Sequence, residues 1–176
     1  MLKRYLKNQK GLTLIELLAV VVILGIIAAI AVPSIGRLID NSKQDAHVSN
    51  ALQMIASAKI FAATDPSILP AKGTGTTSTY VTLADIVNKG HIEDPKDPDG
   101  KTYFKGSVTS TGVYTTAPTG IASYVQISTS DGITYTYAVK LVNSNGATPT
   151  AAVNRGVQLS GGAIVPEADV TRSNVR

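Results

Sequence analysis

At 176 residues with a formal net charge of +4, the chain is long enough for one ordinary domain plus an extended element. Four of its sixteen basic residues, Lys3, Arg4, Lys7 and Lys10, precede Gly11; the remaining twelve balance twelve acidic ones, which excludes a polyanion-binding face spread over the body of the molecule. Cysteine is absent, so disulfides are excluded too and the fold must rest on packing.

In chain order, residues 1–11 form a basic head. The stretch 12–64 reads as one long helix that changes character near Pro33. From Leu17 to Gly36 there are twenty residues without a formal charge, a helix of about 30 Å at ~1.5 Å per residue, the thickness of a bilayer's hydrocarbon core. The positive-inside rule keeps the basic head cytoplasmic and sends everything beyond Ser34 across the membrane. Past Pro33 the segment 37–64 turns amphipathic. Leu38, Leu52, Ala56, Ile60 and Ala63 share one face at helical spacing and are expected to be buried. Asp40, Lys43, Gln44, His47 and Asn50 lie on the other side, toward solvent. Pro33 lacks a backbone donor and Gly25 is a weak helix former, so the helix should bend most easily between them.

Asp65-Pro66 ends the helix, because the residue before proline is pushed out of the α region. The region 65–101 then reads as loops around one short helix. Ala71–Thr79 is a Gly/Thr loop, Leu83–Lys89 is helical and closed by Gly90, and DPKDPDGK over Asp94–Lys101 must turn. Residues 102–176 carry the strand signals: Thr102–Val108, Tyr124–Thr129, Ile133–Val142, and Val157–Leu159 leading to Ala163–Val165. Asp131-Gly132 marks a hairpin turn. The expected fold is α+β, with a long helical stem whose amphipathic half packs on an antiparallel sheet of about four strands.

The beginning of the chain admits three readings. A general secretory signal would be cut after the small-x-small triplet Ala29-Ile30-Ala31, releasing a domain that starts near Val32. An uncleaved anchor needs only the apolar run. Neither has a use for Glu16, a carboxylate at the edge of a segment where charge is costly. Lys10-Gly11-Leu12-Thr13-Leu14-Ile15-Glu16 and the run behind it resemble the processing motif of type IV pilins and the related type II secretion pseudopilins. The resemblance implies cleavage between Gly11 and Leu12 by a membrane-embedded prepilin peptidase and N-methylation of Leu12. It covers about 25 residues and extends less specifically to Gly25 and Pro33, which match helix-breaking residues of the family's stem. Phenylalanine is commoner than leucine at the new first position. The C-terminal disulfide of many Gram-negative pilins is missing, which leans toward a Gram-positive host.

Cleavage would place an amine on Leu12, four residues ahead of Glu16, where the two are helix neighbours. The same pair can form between an arriving subunit and one already in a filament. An unpaired charge in the bilayer costs roughly 2.5–3.5 kcal/mol by insertion scales, so pairing would select one axial register, with Leu12, Thr13 and Glu16 as the assembly residues. As a helix N-terminal carboxylate alone, Glu16 would contribute under about 1 kcal/mol. Ala19, Gly25, Ala28, Ala29 and Ala31 would allow stems to approach closely.

Other constellations are weaker. Asp94, Asp97 and Asp99 contain part of a calcium loop, and secretion pseudopilins bind calcium in a loop of this general location. The closing Glu of an EF-hand is absent, so a solvated turn is the expectation and no cofactor is assigned. His47 and His91 are far apart in sequence and suggest no metal quartet. No nucleophile elbow or phosphate loop points to an enzyme. Lys96, Lys101 and Lys105 near Tyr103 and Phe104 are offset by the same aspartates, so direct nucleic-acid binding is not expected. What the resemblance implies is a prepilin of the cytoplasmic membrane, N-terminus inside, which becomes the major subunit of an extracellular type IV pilus used in adhesion or twitching motility. Its partners would be further copies of itself, the peptidase, the assembly platform and lipid. The alternatives are a type II secretion pseudopilin or competence pilin and, outside the family, a secreted or anchored binding domain.

Overall fold

The chain was analysed as a computed structural model, which describes residues 9–109, 112–118, 122–143, 155–158 and 163–175, with backbone only for 9–13. Helix α1 runs from Gln9 to Thr64 and includes Pro33. Two compact units are separable, Met1–Asn41 and Ser42–Arg176.

In the first unit α1 is regular through Gly25 and Pro33, and its apolar side chains from Leu14 to Ile39 are exposed. A Cβ placed on Gly25 would meet nothing within 4 Å.

In the second unit the end of α1 is fixed locally. The Asp65 N–H donates to Phe61 O at 2.8 Å, and the Asp65 carboxylate accepts from Ser67 N at 3.1 Å as a 3-10 turn, Pro66–Ile68, begins. Strand β1, Thr77–Thr82, follows and leads straight into helix α2, Leu83–Asn88. Thr82 caps α2 by accepting from Asp85 N at 3.1 Å, while its hydroxyl donates to Asp85 Oδ2 at 2.7 Å. Gly90, at φ +76°, closes the helix, with the His91 N–H donating to Ile86 O at 3.0 Å. Strands β2 (Tyr124–Thr129), β3 (Thr136–Lys140) and β4 (Val165–Pro166) complete an antiparallel meander in the order β1-β2-β3-β4. Val125 faces Val81 on one side and Val139 on the other, and Val139 faces Val165, so one apolar row crosses the sheet.

Helix residues Ala51, Met54, Ile55, Ala58, Phe61 and Ala62 pack on that row. This reverses the expected orientation of the stem. Leu38, Leu52, Ala56, Ile60 and Ala63, expected to be buried, are exposed, and His47 on the expected solvent side is fully buried. Both stripes have helical spacing, so periodicity alone does not choose between them. The larger side chains, Met54, Ile55 and Phe61, bury more area, at roughly 1.5–3 kcal/mol for each large apolar side chain removed from water, and that face is the one covered.

Several strand expectations are corrected. β1 lies partly in the stretch read as a Gly/Thr loop and outside the 102–176 region assigned to the sheet. Thr102–Val108 is extended without forming a strand. Tyr103 makes an isolated bridge to Asn143, Phe104 donates to Val142 O, and Ser123 donates to Phe104 O, so its bonds are divided among partners instead of building one ladder. β3 starts at Thr136, not Ile133, because Asp131 organises a longer connection by accepting from Ile133 N at 2.9 Å and Thr134 N at 2.7 Å. Val157 makes a lone bridge to Val175; Leu159 lies outside the described residues.

Candidate functional site

Two groups of residues carry chemistry. The first is the beginning of α1. Gly11, Leu12 and Thr13 lie in helical backbone, their side chains outside the described set, and Glu16 follows in the same helix, exposed. Positions 12 and 16 are therefore one turn apart and on one face. Among the described residues Glu16 has no ion-pair partner. Beyond it the helix holds an eighteen-residue window of mean hydropathy 3.0 with none of it buried, long and apolar enough to cross a membrane. Among the described residues of its own unit, nothing covers this surface. Gly25 and Pro33 sit within it without interrupting the helical assignment.

The second group meets where the DPKDPDGK turn contacts Lys43, His47 and Asn50 of α1 in the unit 42–176. Among the candidate calcium residues the structure separates Asp94 from the other two: its carboxylate pairs with Lys105 Nζ at 2.6 Å, and its side chain is half exposed. Asp97 and Asp99 converge instead on His47. His47 Nε2 lies 3.1 Å from Asp99 Oδ2 and 3.6 Å from Asp97 Oδ1, and His47 Nδ1 is 2.8 Å from the Tyr103 hydroxyl. That hydroxyl accepts from Asn50 Nδ2 at 3.0 Å. Its own proton is then free for His47 Nδ1, which leaves Nε2–H to donate to Asp99; a neutral imidazole satisfies the whole chain.

The turn is thus solvated only in part, with Asp94, Lys96, Gly100 and Lys101 exposed. The Asp97 side chain is fully buried: Oδ1 accepts from Asp99 N at 3.0 Å and Oδ2 from Asn143 Nδ2 at 2.9 Å. Asp99 Oδ1 takes Lys43 Nζ and Arg155 at 3.3 Å each. Partial burial pushes the Asp99 carboxyl up, but hydrogen bonds from His47 and Lys43 and the Arg155 charge outweigh it and leave it below the usual carboxylate range. Burial pushes the Tyr103 phenol up, opposed by the Asn50 hydrogen bond and reinforced by the charges of Asp97 and Asp99.

Sequence reasoning found Asp97 and Asp99 but missed His47, Tyr103 and Asn143. Lys43 and His47 do share a helix face at i, i+4 spacing. That spacing was visible; its meeting with a turn some fifty residues later was not.

Residues 6–32 match the family model described as the prokaryotic N-terminal methylation motif. The match covers less than a fifth of the chain and contains Gly11, Leu12, Thr13, Glu16 and Gly25. No curated protein and no solved structure matches the chain.

Proposed function

We propose that this chain, carrying a prokaryotic N-terminal methylation motif at residues 6–32, is a prepilin whose mature form begins at Leu12 and polymerises as the major subunit of a type IV pilus. The motif implies processing by prepilin peptidase and use of an assembly machinery; the apolar helix behind it fits a membrane-anchored precursor. One observation carries the filament reading: the helix that begins within the motif is free of charge from Leu17 to Gly36, and its large apolar side chains from Leu14 to Ile39 are all exposed. Each of its large side chains would gain roughly 1.5–3 kcal/mol by leaving water. Lipid meets that demand before assembly, and neighbouring copies of the same helix meet it afterwards.

In this reading the protein's work is structural. Cleavage after Gly11 creates the Leu12 amine, methylation retains its charge, and Glu16 of the incoming subunit pairs with such an amine in the growing end. A partner removed from a buried pair leaves the other uncompensated, the strongly destabilising case. Small residues at Ala19, Gly25, Ala28, Ala29 and Ala31 permit close helix approach. Leu52 and Ile60, 42% and 53% exposed on the uncovered side of the second unit's helix, extend the apolar surface offered to neighbours. Surface adhesion and twitching motility are the roles such a fibre would serve.

The reading is tested by the intact mass of the mature protein. A chain starting at Leu12 with one added methyl is expected; a start at Val32 would reject it in favour of ordinary secretion. Electron microscopy of sheared cell-surface material, with peptide identification of the fibres, then separates a pilus from a secretion pseudopilus, which would leave no abundant surface filament.

A further inference from the structure

Three ligand-type atoms face one another inside the unit 42–176. One ligand atom from each of His47, Asp97 and Asp99 lies within 4.8 Å of the others, with His47 Nε2 3.1 Å from Asp99 Oδ2 and 3.6 Å from Asp97 Oδ1. Bonds of about 2.0–2.2 Å from one ion to nitrogen and oxygen place tetrahedral ligands roughly 3.4 Å apart. The observed edges already bracket that spacing.

Each of the three groups is also held from behind. Tyr103 engages His47 Nδ1, Asn143 Nδ2 engages Asp97 Oδ2, and Lys43 and Arg155 engage Asp99 Oδ1, so the inward atoms are aimed by partners on their outer sides. Such outer contacts orient metal ligands. Asn143 is 2% exposed and its Nδ2 donates to Asp97 Oδ2, so the contact that holds Asp97 from behind is itself buried.

We infer that His47, Asp97 and Asp99 form a binding site for a divalent transition-metal ion of the zinc or manganese class. One imidazole nitrogen with two carboxylate oxygens suits these ions, whereas calcium takes six to eight oxygens. On binding, the imidazole takes the Nδ1–H tautomer: Nδ1–H donates a hydrogen bond to the Tyr103 oxygen, which already accepts from Asn50, and the Tyr103 O–H rotates away from the ring. The ion would join α1 to the 94–101 turn. This inference is independent of processing and assembly.

The test uses the full-length chain in detergent micelles, stripped with chelator and titrated separately with zinc, manganese and calcium chlorides. One equivalent of zinc or manganese is expected, and calcium should bind more weakly by about tenfold or more. The chain has only two histidines, so a His91→Gln background leaves one imidazole, whose nitrogen resonances should shift on zinc addition. Asp99→Asn should weaken binding by about tenfold or more, and Asp94→Asn should leave it unchanged. An unshifted His47 imidazole in the presence of saturating zinc overturns the proposal, and that measurement needs no variant in the cluster itself. Calcium binding as tight as zinc, or full affinity in a folded Asp99→Asn chain, overturns it equally.

Discussion

Residues 14–39 and 42–64 of α1 are both helical and both rich in apolar side chains, yet one stretch is bare and the other is covered along a single face. The covered stretch distributes its apolar residues unevenly around the helix: Met54, Ile55 and Phe61 on one side, Leu52 and Ile60 with small alanines on the other. The bare stretch has no such bias, and a helix apolar nearly all round is of the kind that lipid or other protein covers. A sheet can bury one face of a helix; a bilayer or a bundle of copies buries every face. Patterning therefore separates the segment that folds with this chain from the segment that waits for others.

The largest effect should come from Glu16, the one charge in the bare stretch's opening turns. Glu16→Ala is expected to leave cleavage and membrane insertion intact while abolishing or sharply reducing surface fibres, read by microscopy alongside immunoblots for precursor and mature forms; abundant normal filaments would break the register role. Next, Phe61→Ala should destabilise the 42–176 unit by about 3–5 kcal/mol, because it empties a buried site, while Ile60→Ala one position away should cost under about 1 kcal/mol. Denaturant unfolding of both variants in micelles measures the contrast. Equal losses would mean the two faces of the helix are not different. Ile60→Ala should instead lower filament yield.

Thr82→Ala, which removes the α2 cap, should cost about 1 kcal/mol in the same assay. The smallest effect is at Asp131, whose carboxyl is held below the usual range by hydrogen bonds from the Ile133 and Thr134 backbone and the Thr134 hydroxyl. A lowered folded pKa stabilises above the ordinary carboxylate pKa of about 3.9 and is lost as pH falls through the folded value. Asp131→Asn should therefore lower stability slightly at neutral pH and converge with the parent at the acid end, followed by thermal unfolding from pH 7 to pH 2.

Local signals were legible in the sequence wherever the physics is local. Asp65-Pro66 stops α1, Gly90 closes α2, and Tyr124–Thr129 alternates as a strand should. The methylation motif over residues 6–32, which contains Gly11, Leu12 and Glu16, is legible for the same reason, its residues being close together in the chain. β1 was hidden behind the glycines of Ala71–Thr79, though TSTYVT is β-branched enough to suggest a strand. The covered face of α1 could not be read from spacing, only from the relative bulk of two competing stripes. The His47 cluster was out of reach because its members sit on a helix, a turn and the segment after β3, and only folding brings them together.

The last described residues close the fold onto its earliest part. Arg172 grips Asp45 through two nitrogens, at 2.8 and 2.5 Å across 127 positions of sequence. Val175 bridges Val157, and the carbonyl of Asn174 accepts from Gln158. During synthesis the helix leaves the ribosome ahead of strands β1 to β4, which cover its Met54–Phe61 face, and the arginine that pairs with Asp45 follows later still; pairings this distant in sequence form slowly.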